Sequence, residues 1–169
     1  MPKNIEIKAR AENWEGQLSR ARAFCDKTES LVQEDVFFNC AKGRLKLRIL
    51  GDMEKSHLIY YERDNQLNPK GSHYETAAVP NPGAVRNVLA RAFGEVRIVR
   101  KKRTVLFIGQ SRVHFDDVEG LGKFLEIEVC LQPGQSDREG EAVARELMDR
   151  LGIKESALIP GAYADMLKP

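Results

Sequence analysis

Arg112-Val113-His114-Phe115-Asp116-Asp117-Val118-Glu119-Gly120-Leu121-Gly122-Lys123-Phe124-Leu125-Glu126-Ile127-Glu128 is the stretch on which the fold turns. Both halves alternate with period two about a glycine-bearing joint. Arg112, His114 and Asp116 fall on one face of the first half, with Val113 and Phe115 on the other. In the second half Glu126 and Glu128 oppose Leu125 and Ile127. Successive side chains of an extended chain point to opposite faces, so each half reads as a strand with one apolar and one charged face. The short joint Gly120-Leu121-Gly122 makes the two strands antiparallel.

The same alternation recurs outward in both directions. Strands are expected over 3–11, 34–39, 44–50, 57–63, 72–79, 96–108, 111–118 and 123–131, with further joints at Gly51-Asp52, Lys70-Gly71 and Gly109-Gln110. Three helices interrupt them. Asn13 precedes Trp14, Leu18, Ala21 and Cys25 at helical spacing. Asn81-Pro82 supplies a cap and a first-turn proline for a helix that stops at Gly94. Ser136 and Glu139 form a capping box for a helix ended by Gly152. The expected fold is α+β: a single domain over 1–169, its sheet a closed eight-stranded antiparallel barrel with the helices packed outside.

The charged faces carry the functional signal. Asn4, Glu6, Lys8 and Arg10 share one face, as do Lys46 with Arg48 and Lys101 with Arg103. A sheet with one face in water gives the same pattern. Here, however, the faces hold long charged residues almost exclusively, and bases and acids are segregated by strand. If the helices dry the outside, Lys8, Arg10, Lys46, Arg48, Lys101, Arg103 and Arg112 converge with Glu6, Asp116, Glu126 and Glu128. Cations in excess inside an enclosed space suit a bound polyanion, and carboxylate oxygens suit a hard divalent cation.

Composition excludes other classes. Charged residues make up 31 % of the chain but the net charge is only +2, unlike the one-sided basic charge of a nucleic-acid binder. No apolar run reaches the roughly 18 residues of a membrane span. The N-terminus lacks a signal-peptide core, and Cys25, Cys40 and Cys130 have neither disulfide nor zinc spacing, so buried reduced thiols and a cytoplasmic location are expected. There is no Walker-type glycine loop and no serine or cysteine nucleophile motif.

Several segments resemble the CYTH superfamily, the triphosphate tunnel metalloenzymes, in its class IV adenylyl cyclase-like branch. They are Asn4-Ile5-Glu6-Ile7-Lys8, Gln33-Glu34-Asp35-Val36-Phe37-Phe38, Gly43-Arg44-Leu45-Lys46-Leu47-Arg48, Leu58–Arg63, Ser72-His73-Tyr74, Lys101-x-Arg103, His114–Glu128 and Tyr163-Ala164-Asp165-Met166-Leu167. The resemblance implies a barrel enclosing a triphosphate. It implies Glu6, Asp116, Glu126 and Glu128 as ligands of Mg²⁺ or Mn²⁺, and Lys8, Lys46, Arg48, Lys101, Arg103 and Arg112 as phosphate contacts. Glu6 and Lys8 would also be catalytic. The expected partner is a small-molecule triphosphate, with no nucleic acid and no membrane, in a monomer or homodimer. The activity leans to phosphohydrolysis of tripolyphosphate, a nucleoside triphosphate or thiamine triphosphate. A cyclase making cyclic AMP and pyrophosphate, or a non-catalytic binding module, are the alternatives. Asn4 stands where the family signature has its first glutamate, which removes one charge from the metal side. Whether Glu62 or Arg63 faces inward is open, Lys70 and Ser72 read as loop, and Tyr163 reads as packing or a cover for the tunnel. Arg103→Ala is expected to weaken binding more than stability.

Overall fold

A computed structural model describes residues 3–63 and 67–168, and of Lys70 the backbone alone. The strands are Lys3–Arg10 (β1), Lys27–Phe38 (β2), Arg44–Leu50 (β3), His57–Arg63 (β4), Lys70–Ala78 (β5), Glu95–Ile108 (β6), Ser111–Val118 (β7) and Gly122–Cys130 (β8). They close a barrel in the order β1-β5-β4-β3-β2-β6-β7-β8, with antiparallel pairing throughout. Closure joins the first strand to the last, with Ile7 opposite Ile127 and Lys8 opposite Glu126.

The helices form where the caps place them. Trp14–Phe24 (α1) starts at Asn13, whose side chain accepts from the Gly16 N–H. Pro82–Phe93 (α2) starts at Asn81, and Asp137–Leu151 (α3) carries the Ser136–Glu139 capping box and ends at Gly152 with φ 66°. α1 and α3 bury Leu18, Ala21, Ala144, Leu147, Met148 and Leu151 against the outward face of β1 and β6–β8, where Ile5, Ile7, Leu106, Val113, Phe115, Leu125 and Ile127 lie. α3 rides close to β1, since a Cβ on Gly140 would meet the Ile5 and Leu131 side chains. α2 covers Val36, Phe38 and Leu47. A last short helix, Tyr163–Met166 (α4), plugs one end of the barrel. With the outside dried by helices, the charged faces can only point into the bore.

Three local expectations differ. β2 starts at Lys27 instead of residue 34, because Lys27–Gln33 lacks an apolar face that helices cover, and Val32 on its outer face is 66 % exposed. β5 starts at Lys70, opposite Glu6, where a joint was read, and it buries Ser72. The cysteines are free but half-buried. Among the described residues no helix is long and apolar enough to cross a membrane.

Ile127 has no exposed surface and is packed between sheet and helices. Ile127→Ala is expected to cost about 2–5 kcal/mol, read as a lower urea midpoint with an unchanged slope.

Candidate active site

All eight strands line a cavity of about 650 Å³ in the bore. Inward positions follow the two-residue alternation: Asn4, Glu6 and Lys8 from β1, Gln33 and Asp35 from β2, Lys46 and Arg48 from β3, Lys101 and Arg103 from β6.

Arg103 is held most firmly. It donates to both oxygens of Asp116, each at 2.6 Å, and to Glu126 at 2.9 Å. Asp116 also accepts from the Tyr163 hydroxyl at 2.8 Å and from Lys101 at 3.4 Å. Burial acts against the Asp116 charge, but Arg103 and then Lys101 outweigh it and hold the carboxyl far below the usual range. A second knot surrounds Asp35, which accepts from Arg48 at 2.9 Å twice and from Lys46 at 3.1 Å. In a third, Arg63 donates to Glu6 at 2.7 Å. Arg112 lies 3.0 Å from Glu128, and His114 stands between Glu126 at 4.0 Å and Glu128 at 3.7 Å.

Glu6 and Glu128 are direct cross-strand partners. Like charges so placed repel. Burial, then Glu128, raises the Glu6 carboxyl above its ordinary range. Burial also pushes the lysines toward the neutral amine: Lys8 is lowered, Lys46 falls to about 8 and Lys101 to about 7.

Of the residues singled out in the sequence, Glu6, Lys8, Lys46, Arg48, Lys101, Arg103, Arg112, Glu126 and Glu128 all line the cavity. Asp116 does not; it stands behind Arg103, saturated by donors. Arg10, which shares their alternation, is exposed at the strand end, its guanidinium 5.2 Å from the Phe124 ring. The inward member of Glu62-Arg63 is Arg63, in phase with His57, Ile59 and Tyr61, while Glu62 pairs outside with Lys42 at 3.1 Å. Arg63, Asp35, Glu29 and Lys55 are charged cavity-lining residues that the charge rows missed. His57 lines the cavity and His73 is exposed. The side chain of Lys70 lies outside the described structure. Among the described residues Arg63 keeps its Nε and Nη2, and Arg112 its Nε, buried without a partner. Gln33 Oε1 and His114 Nδ1, which also belong to cavity-lining residues, are buried without a partner among the described residues as well.

The model described as CYTH domain matches residues 2–163. The chain belongs to the CYTH domain family. Its barrel is similar to the PH1012 protein of Pyrococcus horikoshii OT3, with a TM-score of 0.84 at 25 % identity over 98 % of this chain and 99 % of that one. A candidate adenylate cyclase from Vibrio parahaemolyticus gives 0.79 at 15 % identity over 96 % of both chains. HpAC1 from Hippeastrum, a candidate adenylyl cyclase reported to have a dominant triphosphatase activity, gives 0.65 at 17 % identity over 90 % of this chain and 89 % of that one. The last two likenesses concern the fold alone. No curated protein matches the sequence.

The knots add a stability cost to the binding loss expected for Arg103. Its removal leaves the fully buried Asp116 carboxylate with Lys101 at 3.4 Å as its remaining cation and Tyr163 as a neutral donor, so Arg103→Ala is expected to cost about 3–5 kcal/mol of stability in urea unfolding. The lysines give a second expectation. An anion in the bore favours the ammonium form and raises the depressed Lys101 and Lys46 values. Binding of tripolyphosphate at a pH of about 8 should therefore take up protons, seen as a binding heat that depends on the buffer's ionisation enthalpy. A buffer-independent heat would contradict this.

Proposed function

We propose that this chain is a divalent-cation-dependent phosphohydrolase that removes the terminal phosphate of a triphosphate held in the bore. The observation that carries the reading is the enclosed cation excess, with guanidinium nitrogens buried without a partner among the described residues and with facing carboxylates beside them. Phosphoryl transfer needs charge neutralisation and in-line positioning more than covalent chemistry. A preorganised set of arginines fixed by Asp116 and Asp35 supplies both without reorganising during reaction.

The phosphate chain would lie along Lys46, Arg48, Arg63, Lys101, Arg103 and Arg112. The closed end, lined by Lys8, Lys101 and Tyr163, takes the terminal phosphate, which leaves any organic group toward the open mouth. Lys8, already pushed toward the neutral amine, is placed to hold or accept a proton from the attacking water. Glu6, Glu126 and Glu128 are the residues that would hold the cation. Their oxygens suit Mg²⁺ or Mn²⁺, and a cation would relieve the opposed Glu6–Glu128 pair. As they stand each is paired with an arginine, and among the described residues no group of three or more acids, histidines or cysteines is arranged to hold a metal. Loading therefore requires these arginines to pass from carboxylate to phosphate. A bound cation would neutralise phosphate oxygens and polarise the phosphorus. Asp116, occupied by Arg103, Lys101 and Tyr163, serves as an orienting group for the cations.

The test is a panel of ATP, thiamine triphosphate and inorganic tripolyphosphate with Mg²⁺ or Mn²⁺, all products resolved. Orthophosphate release is expected. Cyclic AMP with pyrophosphate would replace hydrolysis by cyclisation, and binding without turnover would leave a binding module. Glu6→Gln is expected to lower metal-dependent turnover by roughly 100-fold or more, the scale of losing one preorganised charge partner, while circular dichroism shows the fold intact. Full activity in that variant would remove Glu6 from the metal site.

A further inference from the structure

We propose that Tyr163 is a positioning residue of the bore, seating Lys8 and Lys101 at the closed end and so setting where the innermost phosphate stops. The inference rests on the triphosphate reading above. Tyr163 is 4 % exposed. The Lys8 ammonium lies 4.0 Å from its ring centroid and the Lys101 ammonium 4.8 Å. An aromatic face carries negative potential and holds a cation best where both are out of water.

Neither lysine has a close carboxylate to itself. Lys8 is 3.9 Å from Glu126, and its hydrogen bond goes to the Gly161 carbonyl at 3.3 Å. Lys101 is 3.4 Å from an Asp116 oxygen that already accepts from Arg103 and Tyr163. Both ammoniums thus depend on residues 161–163. Lys46 differs: Asp35 on β2 holds it at 3.1 Å without help from the C-terminal segment. The Tyr163 hydroxyl donates to the same Asp116 that orients Arg103. One side chain therefore arranges Lys8 and Lys101 with its ring and braces Arg103 through Asp116.

The plug is itself fixed from outside. Asp165 accepts from the Ala162 N–H at 2.9 Å and from Arg44 through paired bonds of 2.8 and 2.7 Å. Arg44 and Asp165 line a separate recess of about 330 Å³ behind the plug, away from the main cavity. A plug that only packed would need the Phe124 contact, with ring centroids 5.1 Å apart, and nothing more. The phosphate contacts from Arg48, Lys46 and Arg112 do not involve the plug. Loosening it should cost turnover more than affinity.

The test compares Tyr163→Phe, Tyr163→Leu and Arg44→Gln with the unaltered chain, using the triphosphate it turns over, tripolyphosphate calorimetry and ¹H–¹³C spectra of the lysine ε-methylenes. Tyr163→Phe keeps the ring and should stay within about threefold in kcat, whereas Tyr163→Leu should lose about tenfold or more with KM within about threefold. Arg44→Gln, whose own side chain does not line the cavity, should lower kcat in the same direction. Two ring-shifted lysine methylene signals should appear in the unaltered chain, persist in Tyr163→Phe and vanish in Tyr163→Leu. An unchanged kcat in Tyr163→Leu, or no ring-shifted lysine signal in the unaltered chain, overturns the proposal. If Tyr163→Leu fails to fold, Arg44→Gln and the unaltered chain's spectrum decide. Failure of the tunnel reading shows separately, as no triphosphate bound or turned over while the lysine signals remain shifted.

Discussion

A charge inside a closed sheet has lost its water and must find a partner or become neutral. That constraint organises the bore. Arg103 rests on Asp116, Arg48 and Lys46 on Asp35, Arg63 on Glu6 and Arg112 on Glu128. Cations still outnumber acids, and burial pushes some lysines toward the neutral amine. The interior is stable enough to form yet remains deficient in negative charge, which is the condition for receiving a polyanion.

The knots differ in what they leave available. Asp35 and Asp116 are surrounded by donors and act as rigid backing for the bases. Glu6 and Glu128 are each tied to one arginine and face each other. The first pair of acids meets several donors each; the second meets one arginine each. A row of carboxylates alike in sequence thus divides into two kinds by the number of donors each meets.

Much of this was legible from alternation and capping. Glu6, Lys8, Lys46, Arg48, Lys101, Arg103, Glu126 and Glu128 turn inward because their neighbours Ile5, Ile7, Leu47, Leu125 and Ile127 are buried under helices. What was not legible depended on three-dimensional partners. The polar half of β2 carries no dry face, so its extension to Lys27 shows only through pairing with β6. Asp116 and Glu126 look equivalent along the chain; what separates them is the set of donors gathered on Asp116, including Tyr163 from far away in sequence. Asp35 sits among aromatic and aliphatic residues and forms no charge row, yet it holds two bases. Arg10 follows the alternation but lies past the end of the enclosed region.

The barrel closes by pairing β1 with β8, the two strands farthest apart along the eight. Closing that seam strips water from several ionised groups together, Glu6 and Lys8 among them. Long-range pairing of this kind is slow because loop closure precedes any reward. During synthesis the first strand can meet β5 on one edge early, but its other edge waits through more than a hundred residues for β8. In that interval its ionised side chains keep it soluble, so the groups that later serve the site also guard an unpaired edge.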